Sequence, residues 1–221
     1  MEHFANYFFI LIILIIFFTF INNKNKDISL VKSTIDGDKY LVRNLPDKIE
    51  ASNRLAYIRG KLTEVVKKLH PSVNSSNNLY KKYIKNDEKL EKAISFDEFD
   101  SSLNQLLRKY KDSASTFSES TPDAKYTSYS VNKGEQLVFC LRLKKEGDRL
   151  VPKNTILFVA LHELSHLMTK TIGHGEDFWN NFRFILKVAI NYGIYKSVDF
   201  NNNPEAYCGM KITDTPYLPN K

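Results

Sequence analysis

The chain has 221 residues, 43% of them apolar and 26% charged, with a formal net charge of +7. That length allows one domain plus accessory segments. The lysines and arginines are scattered rather than massed, which fits simple solubility better than nucleic-acid binding, and no nucleic-acid-binding motif is visible. Two cysteines, Cys140 and Cys208, are too few for a disulfide framework and do not fit a cysteine-ligated zinc ribbon. As two unpaired thiols they would suit a reducing compartment.

The chain opens on FANYFFILIILIIFFTFI, residues 4–21, with no charged residue in the run. A helix of that length spans about 27 Å, close to the apolar core of a bilayer. The run predicts a transmembrane anchor over 1–23. A cleaved signal peptide is the rival. It would want a basic start and a small-residue cleavage site, whereas this chain begins Met-Glu-His and continues INNKNKD. Lys24, Lys26 and Lys32 follow the run and no Lys or Arg precedes it. The expectation is therefore a single-pass membrane protein with its main domain in the cytosol. Residues 24–46 read as a polar stalk, 47–215 as the domain and 216–221 as a tail.

Within the domain, Leu55, Ile58, Leu62, Val65 and Leu69 form one helical stripe between Pro46 and Pro71. Such a stripe most commonly packs against a neighbouring helix. HPSVNSSNN reads as a loop, 78–92 and 97–111 as charged helical pieces, and SASTFSESTPD as a second loop. The period then changes. YTSYSV and EQLVFCLRL are rich in strand formers and are separated by NKG, which predicts a hairpin.

Residues 153–172 contain no Gly or Pro, and Ile156, Leu157, Val159, Ala160, Leu161, Leu164 and Leu167 make a helix apolar nearly all round. Asn154 is the expected N-cap and Gly173 the expected stop. His162 and His166 are four apart, so they share one face about 6 Å apart along the axis. Burying them beside Glu163 would cost several kcal/mol without a partner. A zinc ion partners all of them: in H-E-x-x-H on a helix the two histidines bind Zn²⁺ and the glutamate polarises the zinc-bound water. A catalytic zinc has three protein ligands and one open position. His174, between Gly173 and Gly175, is the expected third ligand. Glu176 and Asp177 are its rivals, but they fall in the first turn of a second helix, where the helix dipole already favours acids.

HELSH followed by HGEDFW resembles the zincin metallopeptidases of the SprT and WLM type. Together with YTSYSVNKGEQLVFCLR and EAYCGMKITDTP it is similar to predicted metallopeptidases of large DNA viruses, over roughly residues 40–215. The eight-residue step from His166 to His174 departs from the shorter WLM and metzincin spacing, and HGxxF is closer to SprT. The resemblance implies an α+β zincin-like fold and zinc-dependent peptide hydrolysis at a viral or infected-host membrane. It also implies a strand at the rim of the cleft whose edge pairs with substrate, assigned here to Gln136–Leu143. Glu163 is the expected general base. Tyr207 is a candidate to stabilise the oxyanion, although a tyrosine in this setting is more often part of a core. Phe178 and Trp179 are expected to wedge the second helix against the first.

The expected partners are a protein or peptide substrate and, through residues 4–21, a membrane; nucleic acid is not expected. Two other classes stay open. One is a zinc-stabilised scaffold without turnover, against which the intact Glu163 argues. The other is a tethered factor acting on protein–nucleic acid complexes, against which the anchor argues.

Overall fold

The apolar stripe of the first long helix organises the domain. In a computed structural model, which describes residues 7, 10–15, 27–143 and 147–219, helix α1 (Lys48–Leu69) buries Leu55, Ile58, Leu62, Val65 and Leu69 completely. One side of α1 meets a sheet and another meets the histidine-bearing helix α5 (Lys153–Met168). Between them come α2 (Ser76–Leu79), which runs on into a π-helical turn (Tyr80–Ile84), then α3 (Glu88–Ala93) and α4 (Phe96–Lys109). Helix α4 starts on a full capping box, Ser95 with Glu98. Helix α6 (Glu176–Asn191) follows α5 and packs on it.

The sheet contains β1 (Ile28–Lys32), β2 (Lys39–Arg43), β3 (Phe117–Glu119), β4 (Tyr129–Val131) and β5 (Gln136–Phe139), in the order β1-β2-β3-β5-β4. The outer pairs are antiparallel, and β3 runs parallel to both β2 and β5. Two small ribbons complete the chain: β6 (Arg142–Leu143) with β7 (Arg149–Leu150), and β8 (Glu205–Tyr207) with β9 (Met210–Ile212). The fold is a mixed α+β domain.

Several expectations are corrected. Among the described residues no helix is long and apolar enough to cross a membrane. Of the run 4–21 only Tyr7 and residues 10–15 are described, and they are helical and exposed; the rest of the anchor lies outside the described residues. The transmembrane helix and the single-pass, cytosol-facing topology built on it are therefore not carried forward. The polar stalk is overturned over its described part, because 28–43 forms the hairpin β1–β2. There Tyr40 and Val42 alternate with exposed neighbours and are fully buried against the domain. SASTFSESTPD is not all loop. It supplies β3, whose Phe117 and Glu119 are buried. The tail also begins later than expected, since the Pro216 carbonyl accepts from Arg183 and the Tyr217 ring lies 5.1 Å from the Arg183 guanidinium.

Cys140 and Cys208 are not free thiols. Their Cα atoms lie 6.2 Å apart and the two are joined in a disulfide, tying the end of β5 to the turn of the β8–β9 ribbon. The buried Arg142 ties another corner. Its Nε donates to Glu119 at 2.6 Å and a terminal nitrogen donates to Asp47, at the start of α1, at 2.7 Å. Glu119 in turn accepts from the Arg43 backbone N–H at 2.8 Å.

The NKG turn joins β4 to β5 as expected, with Val131 opposite Gln136. Asn132, Lys133 and Gly134 all take positive φ, of 45°, 50° and 116°. This turn docks on the end of α5. Lys133 Nζ donates to the carbonyls of Thr169, Lys170 and Thr171, and Gln105 of α4 donates to those of Leu167 and Thr169. The Leu167 carbonyl of the last turn and the three carbonyls just past the helix end are thereby given donors. A Cβ at Gly134 would lie 2.7 Å from the Lys109 carbonyl oxygen. Gly134→Ala should therefore destabilise the chain by about 1–3 kcal/mol, combining the φ penalty with the clash. Urea unfolding with an unchanged m-value would measure it, and an unaltered midpoint would mean that the turn does not clamp α5.

Candidate metal centre

Helix α5 begins two residues earlier than the sequence suggested. Pro152, with φ −53°, occupies the N-cap, and Asn154 instead exchanges hydrogen bonds with the Lys196 backbone. The helix ends at Met168, before the expected Gly173, because Thr169 turns extended and its hydroxyl donates back to the Ser165 carbonyl. Asn181 of α6 then donates to the Thr169 hydroxyl at 3.0 Å. The chain reverses through Gly173, whose φ of +91° is a conformation that side-chain-bearing residues rarely adopt. Gly175 occupies the N-cap of helix α6, with Glu176 and Asp177 in its first turn as expected.

This reversal brings His174 back over the face of α5. Its Nε2 lies 3.0 Å from that of His162 and 3.2 Å from that of His166. Each pair of rings is 4.9 Å apart between centroids, so the three imidazoles form a nearly symmetric triangle. Three ring nitrogens pointing at one another lack the N–H donors to satisfy every lone pair. A cation resolves that. Two nitrogens bound at about 2.05 Å to one tetrahedral ion sit about 3.3 Å apart, close to the separations of His174 from His162 and from His166. Burial and the neighbouring imidazoles pull the His162 pKa down to about 3, and His166 is lowered to about 4, so both present neutral nitrogens at neutral pH. The donor set therefore fits zinc. Asp177 is engaged elsewhere, accepting from the Thr171 hydroxyl at 2.6 Å.

Phe178 does more than wedge two helices. Its fully buried ring is stacked on His166 at 4.3 Å and meets the edges of His162 and His174 at 4.7 Å each. One aromatic platform thus orients all three imidazoles. Spacing along the sequence placed Phe178 on the core side of α6 and carried no sign of this contact.

Glu163 is 4% exposed, and burial pushes its carboxyl up to about 8. Among the described residues no cation pairs with it. It borders two cavities that meet at His162 and His174: one of about 510 Å³ that includes Ser130, Lys133 and Thr171, and one of about 410 Å³ that includes Phe158, Trp179 and Ile212. Tyr207 lies in the wall of the second. Its ring is buried, and its hydroxyl is hydrogen-bonded to Ser128, whose oxygen accepts from the Cys140 backbone N–H at 3.0 Å. Burial raises the Tyr207 pKa well above the ordinary value. Ser128 had no signal in the sequence, being a single serine before a short strand.

The rim strand is not the expected one. Over 136–139 the segment Gln136–Leu143 is interior, flanked by β3 and β4, and Arg142 and Leu143 pair with β7. The free edge at the cleft belongs to β4, because the NKG turn folds that strand outward over α5.

Comparison with known proteins finds relatives of the chain among viral proteins. The chain is 33% identical over 206 residues to an uncharacterised protein of Acanthamoeba polyphaga mimivirus, an alignment covering 93% of each chain, and it belongs to the same family. Shorter matches, 35% identical over 69 and 68 residues, link it to uncharacterised proteins of Invertebrate iridescent virus 6 and Invertebrate iridescent virus 3. They cover 31% of this chain and 38% and 42% of those proteins. No protein-family model and no solved structure matches the chain.

The geometry separates the rival third ligands. His174→Ala should lower metal content from about one ion per chain, whereas Glu176→Ala and Asp177→Ala should keep it. Metal analysis of the three purified variants decides, and loss in Glu176→Ala with retention in His174→Ala would overturn the triangle. Phe178→Leu, which keeps apolar volume but removes the platform, should weaken metal affinity roughly 10–100-fold, as changes to groups supporting a ligand shell do. Competition with a chelating dye measures that change, and an unchanged affinity would reduce Phe178 to packing alone.

Proposed function

We propose that the chain is a zinc-dependent peptide hydrolase. The observation that carries this reading is Glu163: a buried acid with no cationic partner among the described residues, next to His162 of the three-imidazole cluster and bordering both halves of a cleft. A scaffold site has use for the three imidazoles and none for an acid held at that depth. His162, His166 and His174 would hold the ion. When bound, zinc supplies a Lewis acid and lowers the pKa of a water to about 7.

The chain's own groups divide the remaining work. Glu163 takes a proton from the attacking water on a carboxylate oxygen and delivers it to the leaving nitrogen as the C–N bond breaks. A nearby dication favours its ionised form, opposing the burial that otherwise keeps it protonated. The free edge of Tyr129–Val131 would hold an extended peptide through backbone hydrogen bonds, giving affinity without selecting side chains. Tyr207 is held by Ser128 within the cleft wall, and the core role suits its burial better than contact with substrate.

Glu163→Gln is the test. It should retain about one zinc per chain and lose roughly 10²–10⁴ in kcat, as removing a general acid–base group does. Cleavage of unfolded casein, with and without chelator, reads the activity. Wild-type turnover in this variant would exclude the mechanism, and loss of zinc would make Glu163 structural.

A further inference from the structure

We propose that the Cys140–Cys208 disulfide is a reversible redox switch. Oxidised, it clamps the β8–β9 ribbon as a wall of the cleft. Reduced by a thiol or dithiol, it lets that wall move. The movement is independent of the peptide-hydrolase reading, and its effect on cleavage rests on that reading.

Both cysteines lie one contact from the cleft. The Cys140 backbone N–H donates to the Ser128 oxygen at 3.0 Å, and Ser128 borders both cavities. Cys208 directly follows Tyr207, whose hydroxyl is hydrogen-bonded to the same Ser128. Tyr207 and the stretch Met210–Asp214 line the 410 Å³ cavity together with Glu163 and Trp179.

Apart from the disulfide the ribbon is lightly held. Of Glu205–Ile212 only Tyr207 and Cys208 are buried. Its strands are three residues each, and an isolated two-stranded hairpin is marginal at best. Side-chain links to the rest of the domain run through the disulfide, the Tyr207–Ser128 hydrogen bond and a Glu205–Thr155 hydrogen bond. The ribbon's turn takes positive φ at Cys208, 51°, and at Gly209, 86°. Asn, Asp or Gly suits the first of these positions, so Cys208 is there for its sulfur and not for its backbone.

The thiol form has a place in the same structure. Cys140 Sγ lies 3.5 Å from the Arg142 carbonyl oxygen, which would accept from a thiol. Neither cysteine belongs to α1, α5 or α6, so reduction leaves those helices and the histidine triangle in place. In the exchange a thiolate of the reductant attacks one sulfur and expels the other as a thiolate. A second reductant thiol then resolves the mixed disulfide. Two electrons and two protons reach Cys140 and Cys208, and the reductant leaves as its own disulfide. Cys140 is 5% and Cys208 4% exposed, so the attacking thiolate reaches sulfur as the ribbon lifts.

The test reduces the full chain with dithiothreitol, removes the reagent without air, and reoxidises with glutathione disulfide. Trp179, the chain's single tryptophan, lines the cavity that the ribbon walls, so its emission reports the wall without turnover. Reduction should move that emission to longer wavelength as water enters, leave the far-UV circular dichroism and zinc content unchanged, and lower kcat/KM on casein roughly 10-fold, an ordinary coupling strength. Reoxidation should restore both. The double variant Cys140→Ser, Cys208→Ser should match the reduced chain and ignore the reductant. A reversible Trp179 shift with no casein cleavage in either state would leave the switch standing and remove the hydrolase reading. A Trp179 spectrum indifferent to reduction, or cleavage at equal kcat/KM in both states, would overturn the switch. Loss of the circular dichroism on reduction would also overturn it, by making the disulfide a staple for folding.

Discussion

Three imidazoles meeting nitrogen to nitrogen at the end of a buried helix are the constraint on which the structure depends. Helix α5 is apolar on nearly every side, with Ile156, Leu157, Ala160, Leu161 and Leu164 fully buried. Polar groups on such a helix are costly unless partnered. The surrounding elements supply partners. Phe178 provides a ring face for the imidazoles, and Gln105, Lys133 and Asn181 occupy the polar groups where the helix ends. These three residues come from three separate elements, so the end of α5 is where helix α4, the hairpin turn and helix α6 converge.

The cleft follows from how that end is covered. The NKG turn grips α5 from one side and sends β4 out as the free edge of the sheet. From the other side the β8–β9 ribbon leans in, clamped to β5 by the disulfide. The space left between them divides at Glu163 into two cavities. Glu163 therefore has its position set by the helix and its surroundings set by two ribbons more than forty residues apart in sequence.

The relationship to the mimivirus protein extends over nearly the whole chain, while the iridescent virus matches cover less than a third of it. The alignment with the mimivirus protein is therefore long enough to take in the hairpin β1–β2, which the sequence suggested was a stalk. Those strands extend the sheet on the side away from the cleft and leave β4 as the edge beside the histidines.

Local pattern decided much of this protein. The 3.6-residue stripe of α1, the four-residue spacing of His162 and His166, the NKG hairpin and the glycine-flanked His174 all depend on interactions within a few residues of one another, and the structure keeps each of them. What tertiary structure alone decided involves partners far apart in the chain. The disulfide joins residues 68 positions apart, and β3 becomes a central strand through parallel pairing with β2 and β5 rather than through its own three residues. Arg142 and Glu119 are buried because each neutralises the other, a fact that neither residue's neighbours in sequence reveal. The edge role moved from β5 to β4 for the same reason: a strand's free side depends on which strands flank it, and that order is set only when the whole sheet has assembled.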